Sequence, residues 1–244
     1  MPDSSVADAL AAIQARIAEA TRQSGRPTEA VRLIAISKTK PPELLREAIA
    51  AGQVVFGENR MQEALDKMEA LSDAPNLEWH LVGHLQKNKA KFCPGRFHWL
   101  HSVDSADLVT RLEARCAEAE WPLQVLLQAN LSQEDSKSGL HDWSGIQRLA
   151  EQLLGCRWLK FRGLMAIPAP NLGEVETRRL FAQLRNWRDQ LRQEFEAPDC
   201  TELSMGMTAD FEWAIREGST MVRVGSAIFG ARPAPASGAY SNFE

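Results

Sequence analysis

The chain has few residues of the kinds that mark secreted, zinc-binding or membrane proteins. Its four cysteines, Cys93, Cys116, Cys156 and Cys200, include no CxxC pair, so neither a disulfide framework nor a thiolate zinc site is indicated. No apolar run is long enough to span a bilayer, and the N-terminus lacks the basic and apolar regions of a signal peptide. We therefore expect a cytoplasmic protein that has no metal site and does not contact a membrane.

The chain is also poor in tyrosine and has no excess of positive charge. Tyr240 is the single tyrosine, close to the C-terminus. The formal net charge of -4 and the pI of about 5.8 argue against a surface that binds nucleic acid. The 244 residues are 44% hydrophobic and 25% charged, which is typical of a soluble globular protein with one sizeable core.

Short β-rich runs alternate with helix-favouring stretches along the chain. Strands are expected at residues 31–37, 53–57, 78–82, 99–103, 123–130, 161–167, 201–205 and 221–225. Helices are expected at residues 6–21, 42–51, 61–71, 86–92, 105–119, 143–154, 175–195 and 209–217. Eight strands separated by helices predict an α/β fold, a single (β/α)8 TIM barrel over residues 1–232, with a flexible tail at 233–244. The extra N-terminal helix is expected to cover the bottom of the barrel or to meet another subunit.

Lys38 ends the first apolar strand, and the C-terminal strand ends of a barrel meet on the face where barrel enzymes place their chemistry. An amine on a rigid strand end, with apolar side chains beneath it, is suited to condense with an aldehyde as a Schiff base. The obvious aldehyde is pyridoxal 5′-phosphate (PLP). The alternative is an ordinary solvated lysine.

The loops after strands seven and eight have the residues of a phosphate site. Gly206 and Thr208 follow strand seven, and Gly225 and Ser226 follow strand eight. Barrels commonly hold phosphate in these two loops, although the same residues also occur in plain turns and helix caps. Thr208 is expected to cap the helix that follows.

Arg223 lies inside an otherwise apolar strand, where alternation places it in the barrel interior. An unpaired guanidinium is costly there. We expect it to pair with a structural carboxylate or to donate to a ligand acceptor such as a pyridine nitrogen.

Several motifs in order resemble the pyridoxal phosphate homeostasis proteins, whose single barrel is similar to the N-terminal barrel of alanine racemase. The motifs are Ala35-Ile36-Ser37-Lys38-Thr39-Lys40, Phe56-Gly57-Glu58-Asn59, Trp79-His80-Leu81-Val82-Gly83-His84-Leu85-Gln86-Lys87-Asn88-Lys89, Ser136-Lys137-Ser138-Gly139, Arg162-Gly163-Leu164-Met165-Ala166-Ile167-Pro168, Leu203-Ser204-Met205-Gly206-Met207, and Gly218 to Gly230. The resemblance covers nearly the whole chain and implies PLP fold type III without a second domain.

The resemblance also implies roles for particular residues. These are covalent attachment of PLP at Lys38, ring contacts from Asn59 and Met165, an Arg223 guanidinium facing the pyridine nitrogen, and phosphate held around Ser204, Met207, Thr208, Gly225 and Ser226. The chain departs from the family pattern at Arg60, His84 and the Thr208-Ala209 pair, which puts details of the pocket rim in doubt.

Because arginine is a permanent donor, it leaves a ring nitrogen unprotonated and weakens PLP as an electron sink. The resemblance accordingly implies a non-catalytic carrier that buffers PLP and supplies it to PLP-dependent apo-enzymes, as a monomer or weak homodimer. Two alternatives remain open: a PLP enzyme like an amino-acid racemase, and a barrel enzyme for a phosphorylated metabolite in which Lys38 acts without cofactor. Lys137 is a candidate second amine for PLP transfer, and Glu58 is expected to pair with a lysine or to face solvent.

Overall fold

Eight parallel strands close into a barrel in the described part of the chain, residues 5–131, 138–169 and 172–230 of a computed structural model. The strands are β1 Arg32–Ile36, β2 Val55–Glu58, β3 Glu78–Leu81, β4 Trp99–Val103, β5 Leu123–Ala129, β6 Leu159–Ala166, β7 Glu202–Ser204 and β8 Met221–Val224. β1 pairs with β8, with Ile34 opposite Arg223, so the two ends of the chain meet. The predicted (β/α)8 barrel is confirmed. The predicted tail at 233–244, with Tyr240, and the predicted transfer residue Lys137 lie outside the described residues.

Helices cover the outside of the barrel. They are α1 Val6–Gln23, α2 Pro42–Ala50, α3 Met61–Ala70, α4 Ala106–Glu118, α5 Trp143–Leu154, α6 Glu174–Glu194, α7 Phe211–Arg216 and α8 Ser226–Phe229. The described helices include none that is long and apolar enough to cross a membrane.

The extra helix α1 begins after Ser5, whose hydroxyl accepts a hydrogen bond from the backbone N–H of Asp8 and so caps the first turn. Its buried face packs against α2, α7 and α8, the helices that flank β1 and β8. The Arg16 guanidinium forms an ion pair with Glu212 at 2.7 Å and lies 4.6 Å from the centre of the Phe211 ring. The helix therefore packs on the side of the barrel where the chain closes, and not across its bottom.

Two predicted helices differ from the structure. The stretch predicted at 86–92 is a short 3₁₀ helix, Lys87–Phe92, because Pro94 and Gly95 follow it closely and leave no room for further α-helical turns. The prediction that Thr208 caps the helix after β7 is wrong. Asp210 occupies the N-cap position of α7, and its carboxylate accepts from the Met207 backbone N–H at 2.6 Å.

The apolar residues form two clusters, one between strands and helices and one within the barrel. The inner cluster contains Ile34, Ile36, Val82, Trp99, Leu126, Met165 and Met221. Val222 and Val224 belong to the outer cluster. Arg223, between them, therefore points into the barrel as the alternation predicts.

A bulge in β6 sets which residues face inward near the C-terminal end. The register with β5 shifts between the Val125–Phe161 and Leu126–Gly163 pairs. Gly163 has a φ of 150°, and a Cβ there would lie 1.9 Å from the Glu202 carbonyl oxygen, so no side chain fits. The extra residue turns Met165 into the barrel, although Phe161, four positions earlier, packs outward.

Candidate functional site

A cavity of about 630 Å³ opens at the C-terminal ends of the strands. Its wall includes residues of the segments that follow β1, β2, β3, β5, β7 and β8. Seven of the nine candidate residues line it: Lys38, Asn59, Met207, Thr208, Arg223, Gly225 and Ser226. The barrel thus brings together side chains that are up to 188 positions apart in the sequence, from 38 to 226.

Lys38 is placed by the tight turn that follows β1. The Ser37 backbone N–H donates to the Gly57 carbonyl at 3.1 Å and continues the sheet, and the Lys40 N–H then donates back to the Ser37 carbonyl at 3.0 Å. Thr39 has a φ of 62°, in the left-handed region that a β-branched residue rarely adopts. The backbone on both sides of Lys38 is therefore held in a specific conformation.

A buried cluster of charges, Glu58, Glu63 and Lys67, fixes that conformation. The Lys67 ammonium donates to the Ser37 carbonyl at 2.6 Å, to Glu58 Oε1 at 2.6 Å and to Glu63 Oε1 at 2.7 Å. The Thr39 backbone N–H donates to the same Glu63 oxygen. One lysine and one glutamate thus bind the residues directly before and after Lys38. We call Glu58, Glu63 and Lys67 the charge cluster.

The Glu58 carboxylate is the least hydrated member of the charge cluster. Its side chain is 0% exposed, and Oε2 has no hydrogen-bond partner among the described residues. Burial raises its pKa above the usual range, against the hydrogen bonds from Lys67 and Ser37, which act in the opposite direction. Of the two expectations for Glu58, pairing with a lysine is confirmed.

The loops after β7 and β8 form the far side of the cavity. Ser226 begins α8, and the first N–H groups of a helix have no partner within it. The Ser226 hydroxyl donates to Thr208 Oγ1 at 3.3 Å, which joins the two loops. A Cβ on Gly225 would lie 2.8 Å from the Ile36 carbonyl oxygen, so only glycine lets the β8–α8 loop approach β1 this closely.

Arg223 reaches the cavity from below. Its side chain is nearly fully buried, with Nη1 donating to Ser204 Oγ at 2.6 Å and Nη2 to the Ala166 carbonyl at 3.0 Å. Burial lowers the pKa of Arg223 to about 10, and nearby Asp210 acts in the opposite direction. The guanidinium therefore stays charged at neutral pH and offers only donors to whatever occupies the cavity.

Ser204 and Met165, which the sequence predicts at the cofactor, lie beneath the cavity in the barrel interior. Both are fully buried, and neither is among the described residues that line the cavity. Ser204 Oγ accepts from Arg223 and lies 2.9 Å from His101 Nδ1. Met165 packs in the inner apolar cluster beneath the cavity floor.

Comparison with known proteins identifies the family. The model of the alanine racemase N-terminal domain matches residues 9–233. A pyridoxal phosphate homeostasis protein of Pasteurella multocida is 44% identical over 225 residues, which cover 91% of this chain and 96% of that protein. Its counterpart in Pseudomonas aeruginosa is 44% identical over 236 residues, which cover 96% of this chain and all of the relative.

The chain belongs to the pyridoxal phosphate homeostasis protein family. PipY of Synechococcus elongatus, solved with PLP bound, has the same fold with a TM-score of 0.82 and 40% identity, over 92% of this chain and 100% of PipY. The alanine racemase of Streptomyces coelicolor shares the fold, with a TM-score of 0.70 and 19% identity over 91% of this chain and 58% of the racemase.

The departures from the homeostasis family pattern lie around the cavity and α3. His84 lines the cavity and is half exposed, with Nδ1 3.5 Å from Asp104 Oδ2. Burial raises the pKa of Asp104, against the effect of His84. Arg60 occupies the N-cap position of α3 without a side-chain capping bond. Of the changed residues, His84, Thr208 and Ala209 thus line the cavity, and Arg60 is not among the described residues that do.

Sequence reasoning did not identify Lys67 and Glu63 as the partners in the charge cluster, and it missed the roles of two buried histidines, His80 and His101. Lys67 lies three positions after the buried Ala64, on the helix face that packs inward, and this spacing was an available signal. The histidines lie at inward positions of β3 and β4, where a polar side chain needs a partner. Within the described residues, no group of three or more potential ligands could hold a metal ion.

Proposed function

We propose that this protein binds PLP in the cavity, with Lys38 as the covalent attachment point, and keeps the cofactor in reserve in the cytoplasm for PLP-dependent enzymes. The observation that carries the proposal is the joint placement of Lys38 and Arg223 on one cavity, from the paired strands β1 and β8. PLP supplies an aldehyde carbon that bonds reversibly to an amine. The family name and the PLP bound to PipY support this assignment.

The residues present fit the cofactor. Lys38 offers an amine, Arg223 offers donors for the ring nitrogen, and the first N–H groups of α8 with the hydroxyls of Thr208 and Ser226 suit a phosphate. The close approach at Gly225, which a Cβ would prevent, keeps the β8–α8 loop beside Ile36 at the end of β1. Asn59 and Met207 also line the cavity and would contact a cofactor bound there.

Arg223 favours storage over catalysis. A guanidinium with a pKa of about 10 does not protonate a pyridine nitrogen, so the bound ring withdraws few electrons from an attached amino acid. Incubation with single amino-acid enantiomers is therefore expected to leave optical rotation unchanged. Sustained, Lys38-dependent loss of rotation would support a racemase instead.

The attachment point is tested by borohydride reduction and peptide mass analysis after incubation with PLP. We expect a pyridoxyl adduct on the peptide that contains Lys38, and its loss in Lys38→Ala. Lys40→Ala is the matched control, because Lys40 lines the same cavity two residues away and should leave the adduct in place. An adduct that persists in Lys38→Ala would refute the assignment.

Delivery is tested by adding the PLP-loaded protein to an apo-enzyme that depends on PLP, against an equal amount of free PLP. Activation faster than PLP dissociates spontaneously would indicate direct transfer. Activation at the rate of spontaneous dissociation would leave only the buffering role. Size-exclusion chromatography with and without the apo-enzyme distinguishes a monomer or weak homodimer from a stable complex.

A further inference from the structure

A line of polar side chains crosses the barrel interior beneath the cavity. Ser204 Oγ lies 2.6 Å from Arg223 Nη1 and 2.9 Å from His101 Nδ1. His101 Nε2 lies 2.8 Å from His80 Nδ1, and His80 Nε2 lies 2.9 Å from Glu78 Oε1. Ser204, His101 and His80 are all 0% exposed. The line joins Arg223 at the cavity to a carboxylate at the N-terminal end of β3.

Both ends of this line have a fixed hydrogen-bond direction. Arg223 can only donate. At the other end, the hydrogen bond from His80 and the positive charge of Arg32 lower the pKa of Glu78 to about 2, against the effect of burial, so the carboxylate is ionised and can only accept. It also accepts from Arg32 Nη1 at 2.7 Å. The protons on Ser204, His101 and His80 must therefore be arranged so that Arg223 donates at one end and Glu78 accepts at the other.

Both histidines are neutral at physiological pH. Burial lowers the pKa of His80 to about 4, with Glu78 opposing and Arg32 and His98 adding to the effect. Burial also holds the pKa of His101 well below its usual range, helped by the positive charges of Arg223 and Arg32. The Trp99 ring stacks on His80 with centroids 5.6 Å apart and shields it from water. A neutral imidazole has one donor and one acceptor nitrogen.

These constraints leave one arrangement of protons. His80 Nε2 must donate to Glu78, so His80 Nδ1 accepts from His101 Nε2. His101 Nδ1 then accepts, and its partner is the Ser204 hydroxyl proton. A lone pair of Ser204 Oγ remains to accept from Arg223.

We propose that His80 and His101 are positioning residues, each held as the Nε2–H tautomer, which orient Ser204 so that its oxygen fixes the Arg223 guanidinium toward the cavity. Ser204 thus serves Arg223 and not a phosphate group. The part that concerns the ligand rests on the proposed function, whereas the tautomers are a property of the protein alone.

The tautomers are measured by long-range ¹H–¹⁵N spectra of the protein without added PLP. We expect His80 and His101 to show the Nε2–H pattern without change from about pH 5.5 to about pH 8, because burial holds the pKa of both rings below this range. Single variants of each histidine assign the signals. An Nδ1–H tautomer, or titration of either buried histidine in this range, would overturn the proposal even if PLP binds as expected.

The positioning role is measured by PLP affinity in variants of His101. His101→Leu removes both hydrogen bonds, and we expect the Kd for PLP to rise about tenfold. His101→Gln, whose amide can accept from Ser204 and donate to His80, should restore the Kd to within about threefold. Unfolding temperatures measured in parallel report any loss of fold.

A double-mutant cycle separates positioning from general damage. In the background of Arg223→Ala, His101→Leu should not weaken PLP binding further, because the residue it positions is gone. An equal loss in both backgrounds would contradict the proposal. If the unchanged protein bound no PLP at all, the proposed function would fail, but the tautomer measurement would still decide the hydrogen-bond chain.

Discussion

Replacing Lys67 with methionine tests how the charge cluster supports the cavity. The Lys67 side chain is 5% exposed and binds Glu58, which is 0% exposed, at 2.6 Å. Removal of one partner of a buried ion pair leaves an uncompensated charge and costs about 3–5 kcal/mol of unfolding free energy. For a chain of this size, that corresponds to a fall in Tm of roughly 6–20 °C. Methionine keeps the length and apolar stem of lysine, so packing changes little.

The pH dependence of this effect identifies Glu58 as its source. Without Lys67, the already raised pKa of Glu58 rises further, so the folded variant binds a proton that the unfolded chain releases. A group whose pKa is higher in the folded state stabilises the fold fully at pH values below its unfolded pKa. This contribution is lost as the pH rises through its folded pKa. The destabilisation by Lys67→Met should therefore be smaller at about pH 5 than at about pH 7.5.

Thermal and urea unfolding of Lys67→Met, Glu58→Gln and the double variant complete the test. The double variant should be more stable than Lys67→Met, because it no longer buries a charge without a partner. Lys87→Met is the matched control. Its ion pair with Asp107 is about half exposed, so its loss should lower the unfolding free energy far less than the loss of Lys67 does. The reasoning would be refuted if the double variant were no more stable than Lys67→Met at about pH 7.5, where Glu58 is expected to carry its charge.

Three further predictions follow from the buried groups and the close approach at the cavity. Gly225→Ala should raise the Kd for PLP about tenfold, because the added Cβ pushes the β8–α8 loop away from Ile36. Gly173→Ala, which has open space around its Cβ, should leave the Kd unchanged. Titration with PLP, followed by the absorbance of the bound cofactor, measures both. Because His80 has a pKa lowered from 6.5 to about 4, the unfolded chain binds more protons between these values. The unfolding free energy should fall with acidification through this range, and His80→Gln should flatten the curve in urea titrations. Burial raises the pKa of the four thiols to about 11 or 12. A chromogenic disulfide reagent at pH 8 should therefore react slowly with them, and fastest with the partly exposed Cys156. Rapid reaction of all four thiols would contradict their burial.

Much of the cavity could be predicted from sequence because barrel topology places all C-terminal strand ends on one face. Once Lys38 and Gly225 are assigned to strand ends, their proximity follows from closure of the barrel between β1 and β8. The inward direction of Arg223 also follows from simple alternation. Alternation fails in β6, because the bulge at Gly163 shifts the register and turns Met165 inward.

The sequence by itself determined the barrel, its strand order and the lysine and arginine that line one cavity from neighbouring strands, because these depend on periodicity and on a closed topology. Only the tertiary structure decided what lies behind them. The charge cluster and the line of polar side chains through His80 and His101 join residues from different strands and helices. No local sequence pattern predicts which inward-facing polar groups will meet. Their pairing depends on barrel register, which determines whether a buried hydrogen bond is made or lost.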